Sequence, residues 1–180
     1  MLILTVPGRD LYDEVKEEFI KQEPFTLELE HSLVSLSKWE SKFRKPFLGS
    51  NEKTSMEVLG YIECMILDPV YPEDVVRRLS VKNMEDVRDY IESPESATTF
   101  GEMPKKNVRG ETVTSELIYY WLVVFNIPFE VERWHLNRLF SLVRICNIKN
   151  QKPTKASKND VARKYRDLNA QRKAQLNTSG

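Results

Sequence analysis

The sequence predicts a mainly α fold: a helical bundle with a small N-terminal two-stranded β element and a C-terminal basic helix. Three observations carry this expectation. From Ser32 onward, apolar residues recur at three- and four-residue spacing, the mark of helices with one buried face. Apolar–polar alternation over Phe25-Thr26-Leu27-Glu28-Leu29-Glu30 marks a half-buried strand near the N-terminus. Lysine and arginine crowd the final stretch.

Leu2-Ile3-Leu4-Thr5-Val6 is β-rich and stops at the turn signal Pro7-Gly8. It is expected to pair antiparallel with Phe25 to Glu30 and to lie on the helical body, because two strands alone are marginally stable. Between them, Asp10 to Lys21 reads as a short helix or an irregular excursion ending before Pro24.

Leu33, Leu36, Trp39 or Glu40, and Phe43 define the first helical face, closed by Pro46 and Gly49. Thr54, with Glu57 three residues on, forms a capping box for a second helix striped by Met56, Leu59, Ile62, Met65 and Ile66. Pro72 to Leu79 reads as helix, with proline in its first turn. Asn83 is expected to cap Met84 to Ile91, and Thr98 to Gly110 to form an exposed loop. Thr114 or Ser115 caps Glu116 to Phe125, which is apolar on nearly every side and therefore expected at a buried centre. Glu130 to Asn147 is an amphipathic helix packed antiparallel to it. Lys149 to Lys158 is a polar linker, and a last helix runs from Asn159 or Asp160 to about Gln175. The expected organisation is a globular helical domain over 1–150, followed by a basic linker and weakly docked helix over 151–180.

Apolar residues make up 41% of the chain, enough for one core at this length, and charged residues 30%. The formal net charge of zero hides an asymmetry. Residues 151–180 hold eight Lys/Arg against Asp160 and Asp167, a balance of +6, so residues 1–150 carry −6. An acidic body with a basic tail can attract itself, a sister copy or an acidic partner. Met1 to Val6 is too short for a signal segment, and Leu117 to Phe125 is too short for a membrane span. Cys64 and Cys146 sit in apolar patterns and read as reduced core thiols. A cytoplasmic location is expected.

No reaction is legible. His31 and His135 are the only histidines, and no CxxC or HxxxH spacing supplies a zinc site. There is no GxSxG nucleophile turn and no glycine-rich phosphate loop. His135 reads as a partly buried helix residue satisfied by a backbone or Asn137-type partner. No catalytic residue, cofactor or metal ligand is expected, and the chain reads as a binding or assembly factor, not an enzyme. Its candidate partner-binding residues are the aromatics Trp39, Phe43, Phe129 and Trp134, with Lys158, Arg163, Lys164 and Arg166 of the basic tail. The aromatics serve core filling or an apolar groove for a partner helix, and the residue pattern leaves both open. The tail has Tyr165 as its one aromatic, a poor platform for stacking on bases.

Two stretches resemble a known family. One is Leu29-Glu30-His31-Ser32-Leu33-Val34-Ser35-Leu36-Ser37-Lys38-Trp39-Glu40 with Lys45-Pro46-Phe47-Leu48. The other runs from Glu116-Leu117-Ile118-Tyr119-Tyr120-Trp121 through Phe125-Asn126-Ile127-Pro128-Phe129 to Trp134-His135-Leu136-Asn137-Arg138-Leu139. Together with Tyr61-Ile62-Glu63-Cys64-Met65 they look like the tail assembly chaperones of long-tailed (siphovirus-type) bacteriophages, over roughly Leu27 to Lys149. The resemblance implies a helical, non-catalytic protein that binds the phage tape measure protein and keeps it soluble in the host cytoplasm during tail tube assembly. It further implies possible contact with the major tail protein, a frameshift-extended sister form and self-association, with no membrane. The alternatives from other classes are a virion structural or connector protein and a nucleic-acid-binding regulator acting through the basic tail.

Overall fold

The computed structural model describes residues 1–13, 17–49, 52–100, 112–150 and 158–176. The chain separates into two compact units, Met1–Asn147 and Ile148–Gly180. Most of the expected loop from Thr98 to Gly110 and of the linker from Lys149 to Lys158 lies outside the described residues. The fold is mainly α, with two small two-stranded sheets at its N-terminal end.

β1 (Leu2–Val6) pairs antiparallel with β4 (Phe25–Leu29), placing Leu4 opposite Leu27 and Val6 opposite Phe25. Leu4, Val6, Leu27 and Leu29 are buried on one face, as alternation requires. The expectation for Asp10 to Lys21 is corrected. β2 (Arg9–Asp13) and β3 (Glu18–Gln22) form a second antiparallel hairpin, so the N-terminal element has four strands and not two. Cross-strand pairs decide this: Leu11 faces Ile20, and Tyr12 faces Phe19 with ring centroids 5.1 Å apart. Where the two sheets meet, a Cβ on Gly8 would lie 2.4 Å from the Gln22 carbonyl oxygen, so only glycine fits. Buried Arg78 donates to the carbonyls of Pro7 and Glu23 and ties the crossing to the helices.

α1 (Leu33–Phe43) starts where Ser32 Oγ accepts the Ser35 N–H, and ends at Arg44 in the left-handed region. α2 (Ser55–Met65) carries the expected Thr54–Glu57 capping box. The helix expected over Pro72 to Leu79 is only a 3-10 turn, Val75–Arg78, which buries Val75, Val76 and Arg78. α3 (Val81–Glu92) is capped by Ser80, not Asn83. Asn83 is the reciprocal partner: its Oδ1 accepts the Ser80 N–H, and its Nδ2 donates to the Thr5 carbonyl of β1.

α4 (Ser115–Val124) is capped by Thr114. Its expected all-round burial is corrected: Ser115, Ile118 and Leu122 are buried, but Tyr120 and Val123 are about 61% and 60% exposed. The helix expected from Glu130 starts later. Phe129–Arg133 is a 3-10 turn, and α5 (Leu136–Asn150) begins only after His135 bridges to Ser32. Two apolar clusters result. Trp39, Tyr61, Ile62, Met65 and Val87 anchor the first, with the β1–β4 sheet. Leu33, Leu36, Ile118, Leu122 and Leu139 anchor the second. α1 contributes to both. In the second unit, α6 (Lys158–Leu176) leaves Tyr165 and Leu176 exposed. No described helix is long and apolar enough to cross a membrane.

Trp39 is fully buried, and its indole N–H donates to the Glu57 carbonyl at 2.8 Å. Trp39→Ala should cost about 3–5 kcal/mol in chemical denaturation. Trp121→Ala should cost clearly less, because Trp121 is half-buried. Equal losses would contradict this division of the core.

Candidate interaction surfaces

Side chains from α2, α3 and the segment after α1 leave one concave apolar site. Phe47, Tyr61, Ile62, Met84, Val87 and Ile91 line a cavity of about 450 Å³. On α3, Met84, Val87 and Ile91 stand at i, i+3 and i+7; Met84 and Ile91 are half-buried, while Val87, with Tyr61 and Ile62 of α2, is buried and lines the cavity from the core side. Phe47 stacks on Tyr61 with centroids 3.9 Å apart, closing one end. Exposed Val58 and Val81 extend the apolar surface outward. Lys53, Glu85, Arg88 and Glu92 border it with both signs of charge, and Lys53 Nζ sits 4.6 Å from the centre of the Phe47 ring. An apolar trough with a border of mixed charge suits the apolar stripe of a partner helix. The sequence marked Met84, Val87 and Ile91 only as the stripe of a helix. The periodicity gave no sign that α2 leaves part of that stripe uncovered.

The residues expected to bind a partner are scattered. Trp39 is a core residue and presents no surface, which corrects its assignment. Phe43 is half-buried and packs on Trp39 with centroids 4.8 Å apart; its ring also fills the space beside Gly60, where a Cβ would meet Phe43 Cζ at 2.7 Å. Phe129 is exposed beside Tyr119. Trp134 is half-buried under the Arg138 guanidinium, 4.2 Å from the ring centre. None of these four lines the trough. Arg163 and Arg166 are exposed on α6, whereas the side chains of Lys158 and Lys164 lie outside what the structure describes.

The two histidines, distant in sequence, meet inside the fold. Their ring centroids are 5.0 Å apart and both are buried. Tyr61 Oη and His31 Nδ1 form a hydrogen bond of 2.6 Å. His135 Nε2 faces the Tyr90 carbonyl at 3.0 Å, and its Nδ1 accepts the Asn137 N–H at 3.3 Å. A carbonyl can only accept, so these partners fit the Nε2–H tautomer. The backbone partners expected for His135 are present, but the residue is buried and lies in the bridge before α5, which corrects its placement as a partly buried helix residue. Tyr90 in turn donates to Glu30 Oε1 at 2.6 Å, and Glu30 Oε2 pairs with the Met1 amino group. The cluster therefore staples the β4–α1 junction to α2, α3 and α5. Among the described residues, no group of three or more His, Cys, Asp or Glu is placed to hold a metal. Cys64 and Cys146 are free and half-buried, and burial pushes the Cys64 thiol up.

Burial, and secondarily the neighbouring His135, lowers the His31 pKa from 6.5 to about 4. Between these values the unfolded chain binds a proton that the folded chain refuses. The His31 contribution should therefore be fully present above pH 6.5 and lost as pH falls toward 4, a change on the order of 3 kcal/mol. Denaturation curves across that window should show the slope, and His31→Gln should flatten it. An unchanged slope in the variant would assign the pH dependence to the carboxylates.

In comparisons with known proteins, no family model, no curated sequence and no solved structure matches this chain.

Proposed function

We propose that this protein is a tail assembly chaperone of a long-tailed bacteriophage. It holds the tape measure protein soluble in the host cytoplasm while tube subunits polymerise around it. The observation that carries this reading is the apolar trough between α2 and α3, with its mixed-charge border. A tape measure chain is a long helix with apolar faces exposed before assembly. Sheltering such a face calls for concave apolar surface and no chemistry. The resemblance noted above supplies the client's identity. The −6 balance of residues 1–150 favours a client helix with basic flanks. On this reading the helices of Met1–Asn147 act as one bundle around the trough, and exposed Arg163 and Arg166 of α6 help recruit the client or sister copies.

A second reading, binding to nucleic acid, is favoured by that same basic helix, and a gel shift that weakens steeply with salt would support it.

Co-expression with the tape measure protein tests the proposal. The wild-type chain should raise the client's soluble fraction. Val81→Lys and Val58→Lys place charge on the trough's exposed valines at little cost to folding, and should lower that fraction several-fold. Tyr120→Lys, on the outer face of α4, should leave it unchanged. Trough variants that work as well as wild type would remove the trough from the proposal. A wild-type chain with no effect would remove the chaperone reading and favour a virion component.

A further inference from the structure

The β2–β3 hairpin exposes more apolar surface than a solvated arm needs. Phe19 is 74% exposed and Ile20 44%, and their cross-strand neighbours Tyr12 and Leu11 are also exposed. These four lie on both faces, Leu11 with Ile20 on one and Tyr12 with Phe19 on the other. Of the β3 residues, Glu18 through Lys21 are all exposed and Gln22 is partly covered. Among the described residues no strand lies beyond β3, so its outer backbone edge is open to pairing. The root of the arm is nevertheless fixed. Arg9 Nη2 and Gln22 Nε2 both donate to Asp74 Oδ2, at 2.7 and 3.1 Å, and Arg78 holds Pro7 and Glu23. An edge held in place from behind loses little freedom when it pairs.

We infer that β3 is a self-pairing edge: two copies of this chain join their β3 strands antiparallel about a twofold axis at Ile20, making one four-stranded sheet. The register follows from symmetry and charge. A twofold axis normal to a sheet keeps each residue on its own face. Because side chains alternate, the axis must then pass between two copies of the same residue. An axis at Lys21 sets two lysines opposite each other, which is unfavourable. An axis at Phe19 sets Lys21 opposite Glu17, which lies at φ 55° in the turn and cannot continue the ladder. An axis at Ile20 keeps all five residues within the strand. Glu18 then faces Gln22 of the second copy, Phe19 faces Lys21, and Ile20 faces Ile20. No like charges meet, and the Lys21 ammonium lies against an aromatic ring already paired with Tyr12. β2 is the less suited edge, because its apolar side chains Leu11 and Tyr12 are more covered than Ile20 and Phe19 of β3.

Two measurements on the full chain test this. In sedimentation analysis, the wild-type chain should dimerise with rising concentration. Ile20→Lys, which sets two lysines at the axis, should raise the dimer dissociation constant by about tenfold or more. In mild oxidation, Ile20→Cys should form a disulfide-linked dimer, since facing residues sit about 4.5–5.5 Å apart between Cα atoms, within disulfide range. Glu18→Cys should not, because its two copies are offset by four residues, about 13 Å along the strands. The wild-type chain, with Cys64 and Cys146, is the control. Both positions of change are exposed, so melting curves should match wild type. A wild-type monomer at every concentration, a dimer indifferent to Ile20→Lys, or equal cross-linking at Glu18 and Ile20 would each overturn the inference.

Discussion

The buried carboxylate of Glu40 organises the region on which the proposed function rests. It projects from α1, accepts the Phe47 N–H at 2.9 Å through one oxygen, and accepts the Ser115 N–H at 2.7 Å through the other. Hydrogen bonds to a charged group contribute about 1.5–3 kcal/mol each, and a buried charge without them is strongly unfavourable. The second bond falls on the first turn of α4, where unpaired N–H groups and the helix dipole favour a negative charge. The first fixes Phe47, whose ring stacks on Tyr61 and closes the trough. One carboxylate thus couples the placement of α4 to the shape of a site formed by α2 and α3.

α1 can play this part because it serves two cores. Leu33 and Leu36 belong to the cluster with α4 and α5, and Trp39 belongs to the cluster with α2, α3 and the β1–β4 sheet. The histidine cluster repeats the joining at the other end of α1, through the Ser32–His135 bridge and the Leu136 N–H donated to the His31 carbonyl at 2.7 Å. The trough is therefore bordered by elements held at both ends, which suits a preformed surface better than one assembled on contact.

Local chemistry made several elements legible in the sequence. Thr54 with Glu57 caps the helix it was expected to cap, and Thr114, one of the two candidates, caps α4, because a cap is a contact between residues three apart. The mis-assigned elements were decided by distant partners. Asp10 to Lys21 is a hairpin because Leu11 and Tyr12 meet Ile20 and Phe19 across the strands. Asn83 lost the cap of α3 to Ser80 and instead reaches β1. α4 is apolar all round but covered on one side only. For the site, periodicity identified the stripe Met84, Val87 and Ile91 but could not say which part α2 would leave open. It could not show that Trp39 would be enclosed, nor bring His31 to His135. An apolar pattern states which face avoids water, and only the packed structure states what covers it.

Hydrogen exchange of the full chain, alone and with a synthetic amphipathic helix drawn from the tape measure protein, tests the central claim most directly. The account predicts new protection concentrated in α2, α3 and the backbone around Phe47, with α4 unchanged. Protection confined to the outer face of α4, or to β2 and β3, would contradict it.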